Sequence, residues 1–504
     1  MSAAVAAVLA VDAGTSGVRA IAFDEAARPL ASSFRQLAVS YPRPGWVEQD
    51  PLAIWEAVAA TLADTASRLG RAPAAIGVAN QRETALAWDR RSGRPLGPAI
   101  VWQDRRTAGR CAELAGQGMA EELRRRTGLV LDPYFSATKY EWVLGALGAR
   151  PAGLALGTVD SWLVWMLTGG PEGGRFATDV SNASRTMLAE LGGLGWSEDL
   201  CRLFGVPRGA LAELVPSSGR LGLARFPGLE GVPVSGVAGD QQAALFGQAC
   251  FEPGMTKNTY GTGSFVVANA GHAPPQPPPG LLASVAWQLG SSPPAYALEG
   301  AIYVTGAALG WLADQMGLIA GPDEAEALAA SVADTAGAYL VPAFSGLASP
   351  YWDPWARGAL VGASRGFGRA HLVRAAVEAM AYQTKDVLDA MRAGLGRPVG
   401  RLRVDGGASV MDLLLQFQAD LAGCAVERSA LAETTALGAA WLAGLAEGVW
   451  ASPGELAGLW SCSARFEPSR PPGEAAALHG GWRAAVERCR GWARPQEAEG
   501  TAPA

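Results

Sequence analysis

Apolar and polar residues show two kinds of pattern along this chain, which together predict alternating helices and strands. Apolar residues recur at three- and four-residue spacing, as on the buried face of a helix, in four stretches: 55–69, 107–114, 372–391 and 409–421. Short apolar runs typical of strands lie between these stretches: 75–79, 86–88, 100–102, 297–298, 339–341 and 402–404. Alternation of the two element types predicts an α/β fold.

A strand–turn–strand pattern occurs twice. Residues 5–23 and 256–268 each combine an apolar strand, a tight glycine turn and a second strand. The two Gly-Thr turns, at 14–15 and 261–262, lie about half the chain length apart. The repeat predicts duplicated domains that face each other across a cleft, although glycine turns are common enough for a chance match.

A chain of 504 residues is too long for one hydrophobic core. We place an N-terminal domain at residues 1–250 and a C-terminal domain at 251–504. The boundary follows the helix predicted after Gly239. The segment from about residue 490, which is rich in Pro, Glu and Ala, is expected to be a flexible tail.

Composition narrows the classes of function. Hydrophobic residues make up 49% and charged residues 17% of the chain, as in compact globular proteins. The net charge of −6 argues against nucleic acid or an anionic membrane as partner, and no long apolar run predicts membrane insertion. Six scattered cysteines and an apolar start without a basic segment predict a reduced, cytoplasmic protein. The three histidines lie in no motif, so acid–base chemistry falls to carboxylates.

The most informative polar residues stand at 239–248, Gly-Asp-Gln-Gln-Ala-Ala-Leu-Phe-Gly-Gln. They put Asp240 and Gln241 at the start of a predicted helix, where free backbone N–H groups and a partial positive charge favour polar ligands. A carboxylate held there can accept a proton from an alcohol. The alternative is that Asp240 is only the helix N-cap.

Three glycine turns follow predicted strands, at 14–17, 261–263 and 405–408. Glycine lets the backbone approach a ligand closely, and successive N–H groups can cradle phosphate oxygens. Asp12, at the end of the first strand, is suited to Mg²⁺, which prefers a few carboxylates plus phosphates. Plain hairpin turns with a solvated Asp are the alternative. The chain has no P-loop motif.

Polar clusters after other strands suit a polyhydroxyl ligand. Residues 80–84 place Arg82 and Glu83 directly after a buried strand, and they can donate to and accept from hydroxyl groups. Trp102 can form a flat wall for a carbon chain, and Tyr134 places a phenol at the start of a predicted helix. A surface ion pair and ordinary core aromatics are the alternatives.

These motifs resemble the FGGY carbohydrate kinases. The matching runs span about residues 8–450: 41–51, 80–84, 132–139, 181–188, 239–248, 257–263, 350–358 and 434–438. The resemblance implies two actin-like, RNase H-type α/β domains flanking a central cleft. It also implies phosphorylation of glycerol by ATP with Mg²⁺, and assembly into a homodimer or homotetramer.

The resemblance assigns roles residue by residue. Asp240 is the implied general base. The implied polyol pocket comprises Arg82, Glu83, Trp102, Tyr134, Asp240, Gln241 and Phe265. The residues implied for ATP are Gly14, Thr15, Ser16, Arg19, Gly261, Thr262, Gly306, Gly310, Gly407 and Met411. The residues implied for the metal are Asp12 and Asp240.

The chain departs from the family pattern in two respects. Met411 stands where an Asn commonly meets the adenine, and Gly310 stands where the family often has Gln, so we expect weaker or less selective purine recognition. Residues 217–236 lack the Gly-Gly-Lys-Gly-Gly-Thr-Arg-like loop through which some bacterial members bind fructose 1,6-bisphosphate. They also lack a histidine for phosphorylation, so we expect neither control to operate by those routes.

Three alternative functions stay open at this point. A kinase for another polyol or ketose, such as xylulose or erythritol, has the same fold, although five residues favour glycerol: Arg82, Glu83, Trp102, Tyr134 and Phe265. A non-catalytic actin-like ATPase or scaffold does not need Asp240. A pseudokinase that senses glycerol does not need intact phosphate loops.

Overall fold

The computed structural model of the protein describes residues 6–494, so the predicted tail lies largely outside the described residues. The strands of the N-terminal half are β1 (Ala7–Ala13), β2 (Gly17–Asp24), β3 (Pro29–Gln36), β4 (Glu48–Gln49), β5 (Ala75–Asn80), β6 (Leu86–Asp89), β7 (Ala99–Ile100), β8 (Leu154–Gly157), β9 (Ala177–Asp179), β10 (Glu213–Val215), β11 (Ser218–Leu223) and β12 (Pro233–Gly239). Its helices are α1 (Pro51–Leu69), α2 (Ala108–Gly116), α3 (Met119–Thr127), α4 (Ser136–Ala146), α5 (Val159–Leu167), α6 (Val180–Ala183), α7 (Glu198–Leu203) and α8 (Asp240–Gly247).

The C-terminal half continues the same mixture of elements. Its strands are β13 (Thr256–Tyr260), β14 (Ser264–Gly271), β15 (Leu282–Trp287), β16 (Ala295–Ile302), β17 (Tyr339–Val341), β18 (Ala359–Val361), β19 (Arg401–Asp405), β20 (Ala425–Ser429) and β21 (Cys462–Phe466). Its helices are α9 (Gly306–Asp314), α10 (Pro322–Ala330), α11 (Arg369–Leu395), α12 (Asp412–Ala422), α13 (Thr434–Ala446), α14 (Pro453–Leu459) and α15 (Pro472–Cys489).

Each half contains one large sheet, and the two sheets share a common arrangement. The N-terminal sheet has the order β11-β12-β5-β1-β2-β3, and the C-terminal sheet has the order β15-β16-β14-β13-β19-β20-β21. In each sheet the first strand of a hairpin pairs antiparallel with its partner on one side, as β1 with β2 and β13 with β14. On the other side it pairs parallel with a later strand, β5 or β19. The shared order confirms the predicted pair of α/β domains.

The helices and sheets stack in five layers. Helices α1 and α5 cover the outer face of the N-terminal sheet, and α11, α12 and α15 cover the outer face of the C-terminal sheet. Helices α8 and α13 lie between the two sheets, where Phe246 and Trp441 join a core built from both. At one crossing a Cβ on Gly77 of β5 would stand 2.1 Å from the carbonyl oxygen of Ala439, so only glycine fits. Helix α13 therefore belongs to the C-terminal half of the chain but covers the N-terminal sheet.

Most predicted elements are confirmed, with differences at their ends. Helix α1 begins at Pro51, earlier than predicted, because Asp50 accepts a hydrogen bond from the backbone N–H of Leu52 at 2.9 Å and caps it. The predicted helix over 409–421 is wrong at its start: a 3₁₀ turn occupies Gly407–Val410, and α12 follows it. Glycine-rich sequence after a strand allows the tighter turn.

Candidate active site

Asp240 opens α8 as its first residue, and Gly239 occupies the N-cap position. The N-cap alternative is therefore wrong. Asp240 Oδ1 accepts a hydrogen bond from the N–H of Gln241 at 2.7 Å and lies 3.3 Å from Arg82 Nε. Its Oδ2 has no hydrogen-bond partner within residues 6–494, and 29% of the side chain is exposed. One oxygen is thus held in place while the other is available to accept a proton.

Arg82 reaches Asp240 because Gly239 lacks a side chain. A Cβ on Gly239 would stand 2.6 Å from Arg82 Cδ. The arginine comes from the turn after β5, and 2% of its side chain is exposed. A glycine at the end of β12 therefore brings the predicted base and the predicted arginine together.

Arg82 and Glu83 are two members of a closed ring of four buried charges. Arg82 Nη1 donates to Glu299 Oε2 at 2.6 Å, and Arg185 Nη1 lies 3.3 Å from the same oxygen. Arg185 Nε donates to Glu83 Oε1 at 2.5 Å, and Arg82 Nε lies 3.9 Å from that oxygen. We call Arg82, Glu83, Arg185 and Glu299 the ionic ring. Sequence reasoning missed Arg185 and Glu299, although a glutamate inside the apolar strand β16 was a signal.

The backbone of Glu83 is held in the left-handed region, with φ of 57°. Its carbonyl oxygen accepts hydrogen bonds from Ser136 Oγ at 3.0 Å and from Lys139 Nζ at 3.2 Å. Lys139 also donates to the carbonyl oxygen of Tyr134 at 2.7 Å. Burial lowers the pKa of Lys139 to about 7. The start of α4 thus fixes two predicted pocket residues, Glu83 and Tyr134, through their main chains.

Aromatic side chains form a wall beside these charges. The ring centroids of Trp102 lie 5.5 Å from those of Tyr134 and 6.3 Å from those of Phe265, both edge to face. The guanidinium of Arg82 lies 5.9 Å from the centroid of Phe265. The Trp102 Nε1 atom donates to Thr15 Oγ1 at 2.9 Å, so the wall is tied to the first glycine turn. All seven residues predicted for the polyol pocket are therefore brought together.

Two glutamines fix the loop after β1 through hydrogen bonds to Thr15. Thr15 Oγ1 donates to Gln81 Oε1 at 3.2 Å, and Gln49 Nε2 donates to the carbonyl oxygen of Thr15 at 2.8 Å. The N–H of Gly14 donates to the carbonyl oxygen of Gly17 across the turn, while Ser16 is exposed at its tip. Gln49 lies in the matching run 41–51 but carried no predicted role.

Asp12 lies at the end of β1 with a buried oxygen, Oδ1, that has no hydrogen-bond partner among the described residues. Burial and the charges of Asp240 and Glu433 raise its pKa to about 7, against the opposing effect of Arg19. A buried carboxylate oxygen without a partner fits a cation that arrives with its ligand. Within residues 6–494 no cluster of three or more His, Cys, Asp or Glu side chains is arranged around a metal position. A single buried carboxylate oxygen is compatible with Mg²⁺, which takes much of its coordination from phosphates and water.

The second glycine turn is pinned to the start of α9. The N–H groups of Thr305 and Gly306 donate to the carbonyl oxygens of Thr262 and Gly261 at 2.9 and 3.0 Å. A Cβ on Gly306 would stand 2.7 Å from the Gly261 oxygen, so the contact requires glycine. Gly310 lies one turn further along α9, with open space where a side chain would be.

The third glycine turn joins β19 to α12. Gly407 begins the 3₁₀ turn and also has open space beside it. Met411 lies at the N-cap position of α12 and is 4% exposed, packed in the core of the C-terminal half. Gly310 and Gly407 therefore each have open space beside them, while Met411 is buried in the core.

Family comparison agrees with this geometry. The model of the N-terminal domain of the FGGY family of carbohydrate kinases matches residues 7–247, and that of its C-terminal domain matches residues 256–447. The chain belongs to this family, whose two-domain actin-like fold it shares. Among its relatives, a protein from Symbiobacterium thermophilum named glycerol kinase is 50% identical over 96% of this chain and 99% of the relative. The glycerol kinase of Methylorubrum extorquens is 51% identical over 96% and 98%, respectively.

Comparison with a solved structure also shows similarity to a glycerol kinase. The crystal structure of Plasmodium falciparum glycerol kinase with ADP matches with a TM-score of 0.90 and 32% identity, over 96% of this chain and 98% of that one. No helix in the described part of the chain is long and apolar enough to cross a membrane.

Proposed function

We propose that this protein transfers the γ-phosphoryl group of ATP to a terminal hydroxyl of glycerol, which gives sn-glycerol 3-phosphate and ADP. The observation that carries the proposal is the free oxygen of Asp240, held beside Arg82 and an aromatic wall. Relatives about 50% identical over nearly the whole chain carry the name glycerol kinase, which supports the same activity here.

The unpaired polar atoms of the pocket suit a small polyol. Arg82 Nη2 and Gln241 Nε2 have no acceptor, and Glu83 Oε2 has no donor, among the residues that the structure describes. Each hydroxyl of glycerol both donates and accepts, so it can satisfy such groups in pairs. Lys257 Nζ donates to Gln241 Oε1, and because an ammonium only donates, the amide nitrogen of Gln241 is the end left for a ligand. The C–H edges of the polyol would pack against Trp102 and Phe265.

The chemistry requires little beyond position and charge. Phosphoryl transfer passes through a loose transition state, so the protein mainly aligns the groups and neutralises charge. Asp240 Oδ2 would accept the proton of the attacking hydroxyl as its oxygen bonds to phosphorus, while Arg82 holds the other carboxylate oxygen. Arg19 would approach the transferred phosphate.

Asp12 would hold Mg²⁺, with Asp240 as the second residue that the resemblance implies for it. The ion, when bound, supplies positive charge to the phosphates of ATP. The nucleotide would lie along the turns at Gly261 and Gly407 on the C-terminal side. The predicted homo-oligomer is part of this proposal, and sedimentation velocity measures it.

A coupled assay of ADP release with glycerol, xylulose and erythritol tests the proposal. We expect kcat/KM to be highest for glycerol and the product to be phosphorylated at a terminal carbon, as read by mass spectrometry and NMR. A higher kcat/KM for xylulose or erythritol would assign the protein to another branch of the family. ADP release that is the same with and without every acceptor would instead support the actin-like ATPase.

A further inference from the structure

The ionic ring determines which polar atoms of the proposed polyol pocket remain free to bind the phosphoryl acceptor, the substrate that receives the phosphate. Glu299 accepts from Arg82 Nη1, and Arg185 donates to Glu83 Oε1. The second nitrogen of the Arg82 fork and the second oxygen of Glu83 are the atoms without a partner in the part of the chain that the structure describes. One free donor and one free acceptor of the pocket are therefore set by Glu299 and Arg185.

Glu299 itself has no capacity left for a ligand. Its Oε1 accepts from Gln242 Nε2 at 2.9 Å and from Ser284 Oγ, and its Oε2 accepts from Arg82 Nη1. Burial raises the pKa of Glu299, but the charges of Arg185 and Arg82 outweigh it and lower the pKa to about 2. Glu299 is thus a permanent, fully bonded carboxylate that acts through Arg82.

The ring also crosses the boundary between the two halves. Arg82 and Glu83 follow β5, and Arg185 follows α6, all in the N-terminal half. Glu299 lies on β16, in the C-terminal sheet. The acceptor side of the cleft is therefore completed by a charge from the opposite half of the molecule.

We propose that Glu299 and Arg185 are positioning residues that set the affinity for the acceptor, an inference that rests on the proposed function. A buried charge that loses its partner is energetically unfavourable, and its side chain moves toward another opposite charge where one is within reach. Without Glu299, the Arg82 guanidinium turns toward Asp240 and Glu83, and the atoms that bind the acceptor are withdrawn. Nucleotide contacts lie on other turns and are spared.

The test compares Glu299→Gln with a matched control, Glu427→Gln. Glu427 is also a buried glutamate of the C-terminal sheet, on β20, and it is paired with arginines, including Arg465 at 3.0 Å. For Glu299→Gln we expect KM for the acceptor to rise roughly tenfold or more, with KM for MgATP unchanged within about twofold. For Glu427→Gln we expect both KM values to stay at the wild-type level, whatever the loss of thermal stability. The acceptor used is the one that the wild type phosphorylates best, so failure of the glycerol assignment is seen separately, in the wild type.

Charge balance gives a second and independent readout. Arg185→Met/Glu299→Gln removes one charge of each sign, so the ring keeps its net charge. We expect the rise in acceptor KM for the double variant to be clearly smaller than the product of the two single effects. Ser284→Ala, which removes one hydrogen bond to Glu299, is expected to raise acceptor KM about twofold to fivefold while the fold is kept.

Two results would overturn the inference. One is an unchanged acceptor KM in a folded Glu299→Gln protein or, if that variant does not fold, in Ser284→Ala. The other is a parallel rise of the KM values for acceptor and MgATP, which would show general damage to the cleft.

Discussion

Arg19 of β2 forms an ion pair with Glu433, the residue directly before α13. The pair links the two halves of the chain beside the turn at residues 14–17, where we propose that the phosphates of ATP bind. Arg19 also lies 5.4 Å from the ring centroid of Phe34. The guanidinium expected beside the transferred phosphate thus donates to a carboxylate through Nη1, and we expect ATP to compete with Glu433 for it.

Removing this competitor should strengthen nucleotide binding. For Glu433→Gln we expect KM for MgATP to fall about twofold to fivefold, since exposed ion pairs contribute roughly 0.2–1 kcal/mol. The effect should shrink at high salt, because the pair is partly exposed. Glu447→Gln is the control, since Glu447 also joins the halves, through Arg220, but takes part in no predicted phosphate contact. A rise in KM for MgATP would indicate that Glu433 aids binding.

Asp240→Asn should separate catalysis from folding. The amide keeps the shape of the carboxylate but cannot accept the proton, so we expect kcat to fall by about 10²–10⁴. Thermal unfolding should stay close to wild type, since the side chain is partly exposed and the N–H of Gln241 can still donate to the remaining oxygen. Activity near the wild-type level would remove Asp240 from the role of base.

Asp12 should make the free protein less stable at neutral pH than at acid pH. Its pKa is raised from 3.8 to about 7, so its contribution to stability is complete below about pH 4 and is lost as the pH rises through 7. Asp12→Asn cannot ionise, and we expect it to gain on the wild type over that range, by on the order of 4 kcal/mol at most. Urea unfolding with EDTA, from pH 4 to pH 8, measures the difference.

The control for Asp12 is Asp160→Asn. Burial and the charge of Asp179 also raise the pKa of Asp160 to about 7, but its oxygens accept from Thr158 and Thr178, away from the glycine turns. For Asp160→Asn we expect a similar gain in stability and an unchanged Mg²⁺ dependence of activity. For Asp12→Asn we expect the Mg²⁺ dependence of activity to be lost. Equal Mg²⁺ dependence in both variants would contradict the assignment of Asp12.

Gly438→Ala should disturb the central layer of the molecule. A Cβ on Gly438 of α13 would stand 1.8 Å from the carbonyl oxygen of Ala243 in α8, so the two helices must separate. We expect a loss of about 1–3 kcal/mol in the free energy of unfolding, together with lower kcat because α8 carries Asp240. Gly458→Ala, in α14 with open space around it, is the control and should be neutral or slightly stabilising. Equal stability of the two variants would contradict this packing.

Nucleotide selectivity should be relaxed. Gly310 leaves open space and Met411 offers no side-chain hydrogen bond, so we expect the purine to be held mainly by shape. We expect kcat/KM for GTP within about tenfold of that for ATP, which corresponds to less than about 1.4 kcal/mol of discrimination. Turnover with ATP, GTP and CTP under identical conditions measures this. Strict use of ATP at low micromolar KM would contradict the prediction.

Helices and strands with a regular spacing of apolar residues could be predicted from the sequence. The helices α1 and α11 and the duplicated hairpins all have regular apolar spacing, and all are found. The start of α12 was misplaced, because apolar spacing does not distinguish a 3₁₀ turn from the first turn of an α-helix. The role of Gly239 at the cap was also missed, since Asp is the commoner N-cap and the glycine is needed for contact with Arg82.

The site could be predicted only where its residues lie in motifs. Arg82, Glu83 and Asp240 follow strands of one sheet, so a linear reading brings them near one another. Glu299 is more than two hundred residues from Arg82 in the chain, and no local pattern links the two. Pairing between these distant charges depends on the position of β16 relative to the N-terminal sheet, and the order of residues does not reveal that position.

Helix α13 has a consequence for synthesis on the ribosome. The face of β5 and β12 that it covers is complete once α8 has been translated, but α13 itself emerges only after most of the C-terminal half. Until then the nascent chain presents an apolar surface, shaped by Gly77 and Gly236 to receive a helix that does not yet exist. The covering of the N-terminal sheet by α13 can therefore be completed only after its own strands and most of the C-terminal half have been synthesised.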